Sequence, residues 1–175
     1  MGRNRVRSRS AQSLRFEEIV RSAAPARGVG RLHALDFAAF GALAPWVSVI
    51  EPDEIGFAIR FARAGERLCE MLGRELVGLD YLEFVDPAIK GEAFDSAFVM
   101  LSRPCGLWQI TPALTRDGAT IEAEYTGFPL FDDARKRGVL ITLAHIAIAP
   151  VPLIAQVRHA SEWTWLDLKG GGALH

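Results

Sequence analysis

The segment 139–148 is apolar at nearly every position, with Thr142 and His145 as the exceptions. A strand that turns a polar face to neither side must be covered on both. This predicts a central strand with a packed layer above it and another below. Helices of the same domain supply one cover. The other cover can come from an amphipathic N-terminal helix, from a second copy of the sheet or from the segment with Trp163 and Trp165, and a homodimer through this surface is predicted.

The neighbours of that strand follow from turn chemistry. Segments 106–115 and 120–130 read as strands joined by Asp117-Gly118, and the polar stretch 132–137 joins the second of them to the central strand. Further upstream, 46–50 and 56–61 form a hairpin around Glu51, Pro52, Asp53 and Glu54. In the second arm Phe57, Ile59 and Phe61 alternate against Arg60, as a half-buried strand requires.

Between the hairpin and the last three strands the spacing becomes helical. Leu68, Met71 and Leu72 recur at i, i+3 and i+4 and Gly73 supplies a stop, so 64–72 is predicted helical. A short turn covers 81–85, and Asp86-Pro87 starts a helix to about 101 with Phe94, Phe98 and Leu101 on one face. Two earlier helices are predicted, 10–24, set apart from the main domain, and 35–43, closed by Pro45. The fold class is α+β, with an antiparallel sheet and helices packed on it.

With 175 residues, half of them apolar, the chain suits one domain plus extensions: a basic arm and flanking helix over 1–31, the main domain over 32–149 and a C-terminal tail over 150–175. A net charge of −1 argues against nucleic-acid or membrane-surface binding as a main role. Arg3, Arg5, Arg7, Arg9 and Arg15 read as a solvated basic arm without the apolar stretch of a secretory signal. No apolar run reaches the roughly 18–20 residues that span a bilayer. Cys69 and Cys105 have no metal-site or disulfide spacing, which fits a reducing cytoplasm.

The run 60–78, Arg-Phe-Ala-Arg-Ala-Gly-Glu-Arg-Leu-Cys-Glu-Met-Leu-Gly-Arg-Glu-Leu-Val-Gly, leads from a strand through an open turn into a helix ending Gly73-Arg74-Glu75-Leu76. It resembles a family of short stand-alone bacterial PAS-like proteins. The likeness extends over 32–148 through Pro45-Trp46 and Gly127-Phe128-Pro129-Leu130. The resemblance implies a five-stranded antiparallel sheet of order 2-1-5-4-3, helices on one face, and a core cavity able to sense a small molecule. It implies a regulatory protein that signals to a separate signalling protein or through a homodimer, since no output module is expected in so short a chain.

Cofactor chemistry finds little support in the residues. The Asn-Cys-Arg motif of flavin-binding PAS proteins is absent, and the helix from 87 to 101 has no histidine that could ligate haem. His33, His145, His159 and His175 are dispersed, which argues against zinc. Glu122 and Glu124 share a strand face but read as ordinary solvent-facing alternation rather than an acid/base pair. There is no Gly-x-Ser-x-Gly elbow, Gly28-Val29-Gly30 lacks a dinucleotide fingerprint, and 170–172 is a flexible glycine run. The expectation is therefore a binding protein with no catalytic residues.

Phe61, Phe94, Phe98, Trp108 and Tyr125 are expected to point to one interior, with His145 near them. Two readings stay open, a filled aromatic core and an apolar ligand pocket with Tyr125 and His145 as its polar handles. The functional alternatives to a sensor are a small cone-shaped enzyme resembling the ketosteroid isomerase group and a ligand-free structural adaptor.

Overall fold

The computed structural model describes residues 7–24, 29–168 and 173–174. Helix α1 (Ala11–Ser22) begins where Ser10 caps it, its hydroxyl accepting from the Ser13 amide at 3.1 Å. Strand β1 (Gly30–Arg31) is followed by short 3-10 turns, of which Phe37–Trp46 starts where the Asp36 carboxylate accepts from the Ala38 amide at 2.9 Å. Then come β2 (Val47–Asp53), β3 (Ala58–Ala64) and α2 (Glu66–Leu72). Gly73 ends α2 with φ 74°, a conformation that side-chain-bearing residues disfavour. Two more 3-10 turns, Tyr81–Phe84 and Pro87–Ile89, lead into α3 (Lys90–Ser102). The remaining strands are β4 (Cys105–Thr115), β5 (Thr120–Asp132), β6 (Arg137–His145), β7 (Ile154–Val157), β8 (Glu162–Asp167) and β9 (Ala173–Leu174).

All of these strands join one sheet with the path β3-β2-β6-β5-β4-β8-β9, while β1 pairs in parallel with β5 and β7 pairs with β4 beside β8. The apolar segment lies at its centre as β6, hydrogen-bonded between β2 and β5. Its side chains divide strictly. Leu140 joins the core beneath α2 and α3, whereas Val139, Ile141 and Leu143 join a second core on the opposite face. All four are essentially sealed from solvent. Thr142, on the α2–α3 face, is accommodated by a hydroxyl pair with Ser48 at 2.6 Å.

The second face is closed by α1 and the 3-10 segment, not left open for another copy of the sheet. Phe16 is wholly buried, with its ring centroid 5.5 Å from that of Phe40 and 6.1 Å from that of Phe128. Polar contacts hold the helix in register: Ser13 Oγ meets Thr126 Oγ1 at 2.6 Å, and the Arg21 guanidinium donates to the carbonyls of Asp167 at 2.6 Å and Leu168 at 3.1 Å. Helix α1 is thus part of the main core and does not stand apart. Of the arginines expected to be solvated, Arg7 and Arg15 are exposed, in surface pairs with Glu122 at 2.5 Å and Glu162 at 3.3 Å and with Glu18, whereas Arg9 is largely covered and paired with Glu17. Arg3 and Arg5 lie outside the described residues.

Two expectations need correction. The sheet is larger than five strands, because 150–168, read as a tail, folds back as β7 and β8 along β4. The central strand ends at His145, three residues earlier than its hydropathy suggests, because the apolar residues beyond it run into Pro150 and Pro152. No described helix is long and apolar enough to cross a membrane.

Truncating Phe16 to alanine removes the ring that bridges Phe40 and Phe128, and chemical denaturation is expected to show a loss of about 3–5 kcal/mol. A loss below about 1 kcal/mol would mean that α1 is not an integral cover of the sheet.

Candidate functional site

The β4–β5 register decides which predicted residues can share a site. Gln109 lies opposite Tyr125 and Trp108 opposite Thr126, so Tyr125 and Trp108 project from opposite faces. Trp108 belongs to the α1-side core, and its Nε1–H donates to Glu124 Oε1 at 2.6 Å. His145 pairs with Glu124 across β5–β6 and so lies on that face too. Its ring centroid is 5.3 Å from that of Trp46, edge to face, and burial lowers its pKa against a smaller opposing effect of the Glu124 charge. Neither residue reaches the α2–α3 side. The same register corrects the reading of the two glutamates: Glu124 also accepts from the Ser10 amide at 3.0 Å, while Glu122 holds Arg7. They anchor the entry to α1.

Phe61, Phe94, Phe98 and Tyr125 all belong to the α2–α3 core. Phe94 and Phe98 pack as a row with Phe57 of the β2–β3 turn, with centroids 4.3 Å and 4.8 Å apart along it. They fill space. Phe61 and Tyr125 instead line a cavity of about 70 Å³ between the sheet, α2 and the Tyr81–Phe84 turn. Its walls include Leu68, Met71 and Phe84. The α2–α3 side thus carries a filled aromatic row with a small void beside it, and His145, expected as a polar handle of the same interior, is not part of its lining.

Two phenols flank this void. Burial pushes the Tyr81 hydroxyl up to about 12, and burial followed by the neighbouring Tyr81 raises Tyr125 as well. The Tyr125 ring lies along its own strand over Gly127, where a Cβ would sit 2.8 Å from the phenol oxygen. A side chain at 127 would push that ring from its place.

A cleft of about 420 Å³ adjoins the cavity, between α3 and the added strands β7 and β8. Glu92, Asp95 and Val99 form one wall, Arg158, His159, Trp163 and Trp165 the other, and Leu107, Gln109 and Thr111 of β4 the floor. The His159 Nε2 and Glu92 Oε2 atoms approach to 3.1 Å across it, with both side chains well exposed. Trp163 and Trp165 have ring centroids 5.9 Å apart. Tyr81, Gln109, Thr111 and Val157 line both spaces, so cleft and cavity meet there. Thr111 is only 4% exposed, and its hydroxyl has no hydrogen-bond partner. Buried hydroxyls are nearly always paired, so an unpaired one marks a place that a guest could satisfy.

Sequence reasoning missed this cleft because one of its walls was read as a tail. A signal was available in the alternation through Trp163, Thr164, Trp165 and Leu166. No group of three or more His, Cys, Asp or Glu side chains among the described residues could hold a metal ion. No family model matches the chain, and no curated protein matches it.

The protein's only two tyrosines are Tyr81 and Tyr125. A spectroscopic titration of the phenolate band is therefore expected to show neither ionising near the usual value of about 10 in the folded protein, and both doing so in denaturant. The folded state keeps protons that the unfolded chain releases. This contribution to stability is full below about pH 10 and is lost as the pH rises through about 12. Ionisation near 10 with the fold intact would show the phenols to be solvated.

Proposed function

We propose that the protein is a PAS-like sensory or regulatory module without catalytic activity, working in the cytoplasm through contact with a separate signalling protein and gated by a small apolar ligand in its core. The observation that carries this reading is the apolar cavity at Phe61 and Tyr125, enclosed between helices and a sheet whose strands include the path β3-β2-β6-β5-β4. Counting only those five strands in chain order, that path is 2-1-5-4-3, the order implied by the resemblance.

The cavity is far smaller than the roughly 300–1,000 Å³ of sites that enclose whole small molecules. A ligand confined to it has only a few heavy atoms, and a larger one extends toward the cleft. An enzyme of the ketosteroid isomerase kind would need a carboxylate on the cavity wall, and the residues lining it include none. Since α1 occupies the second face of the sheet, a homodimer uses another surface or displaces α1.

Native mass spectrometry of the purified protein, set against the denatured sample, tests this reading. A retained discrete mass lost on denaturation is expected, in a dimer. Ligand-free protein would favour the structural adaptor, and a monomer would overturn the homodimer.

A further inference from the structure

Three polar side chains converge where the cleft opens toward the cavity, Thr111 and Gln109 from β4 and Tyr81 from the turn before α3, with Tyr125 of β5 on the cavity wall behind them. The Thr111 hydroxyl is unpaired, and hydrogen bonds join none of the other three side chains to a described residue. Thr111, Gln109 and Tyr125 lie on the sheet, where β4 and β5 fix their backbone, so the group is in place before any guest arrives.

Its chemistry is selective. A primary amide such as that of Gln109 offers an acceptor oxygen beside donor N–H groups, which complements a cis-amide or amidine edge by two adjacent hydrogen bonds. Hydroxyls at Thr111 and Tyr81 can donate or accept, so they suit the same edge. Beside it the cleft offers apolar surface, with Trp165 on one side and Val99 on the other. Glu92 and Asp95 on the α3 wall face Arg158 and His159 on the other, so the cleft carries charge of both signs and its seat at Gln109 and Thr111 recognises a guest by hydrogen bonds rather than by net charge. A volume of about 420 Å³ accommodates a planar bicyclic compound.

We infer that the cleft between α3 and the β7–β8 strands binds an uncharged planar heterocycle bearing a lactam or amidine edge, seated on Gln109 and Thr111 with its ring toward Trp165. This rests on the ligand-gated reading above and replaces a purely apolar ligand with one that carries a polar edge. The guest enters from the cleft, beside strands β7 and β8, and touches the core cavity only at its inner end.

The test is a protein-observed NMR titration with quinolin-2(1H)-one, its N-methyl derivative and naphthalene, on the full chain and on Thr111→Val. That substitution is close to isosteric and removes a buried unpaired hydroxyl, so the variant is expected to melt at the same temperature or higher. Quinolin-2(1H)-one is expected to bind saturably, shifting the Thr111 and Trp165 signals. The N-methyl compound and naphthalene are expected to bind about tenfold more weakly, and Thr111→Val to weaken the lactam by about tenfold while leaving naphthalene unchanged. If naphthalene binds as tightly as the lactam, or Thr111→Val has no effect, the polar-edge inference fails and the apolar-ligand reading stands. If no probe binds, this inference fails, and a mass spectrum without retained ligand then removes the ligand-gated reading as well.

Discussion

The double burial of β6 is the constraint on which the rest of the structure depends. Val139, Ile141 and Leu143 face one layer and Leu140 the other, so neither layer can be left out without exposing a contiguous apolar surface. At about 25 cal/mol per Å² of apolar area, each face of such a strand represents several kcal/mol. On one side α2, α3 and the turns between them form the cover. On the other, α1 folds back over the sheet, with Phe16 as the central contact and the Ser13–Thr126 and Arg21–Asp167 hydrogen bonds fixing its position.

That arrangement assigns different work to the two faces. The α1 side is densely packed, and its polar groups are matched: Trp108 with Glu124, Glu124 with Ser10, Ser13 with Thr126. The α2–α3 side is packed around Phe94 and Phe98 but leaves a void at Tyr125 and an unpaired hydroxyl at Thr111. Among the described residues, the small void and the one unmatched buried hydroxyl coincide on the α2–α3 face. Interiors are otherwise close-packed and hydrogen-bonded, so this coincidence distinguishes the α2–α3 face from the α1 face.

Strands β7 and β8 change what the sheet edge can do. Without them β4 would be an open edge, with a row of unpaired backbone groups. Pairing 105–110 with β8 and 113–115 with β7 closes that edge and raises a wall of Trp163, Trp165, Arg158 and His159 opposite α3. The same residues that protect the edge thereby create the cleft.

The sequence by itself determined the element types, because they depend on local periodicity and turn chemistry. The nearly all-apolar 139–148 run required a central strand, Asp86 marked a helical start, Gly73 a helix stop, and Asp117-Gly118 a tight turn. The same core logic gathered Phe61, Phe94, Phe98, Trp108, Tyr125 and His145 into one interior without separating the two faces of the sheet. Only the tertiary structure decided which face each residue of neighbouring strands shares. The β4–β5 pairing couples residues of the same parity, putting Trp108 and His145 with Glu124 on the α1 face and leaving Tyr125 with Gln109 and Thr111. A shift of one residue would have reversed that assignment, and strand propensity carries no information about it. The order of the last strands was equally beyond local reading. Segments 154–157 and 162–167 have modest strand patterns of their own and gain their structure from the unpaired edge of β4, a partner distant in sequence.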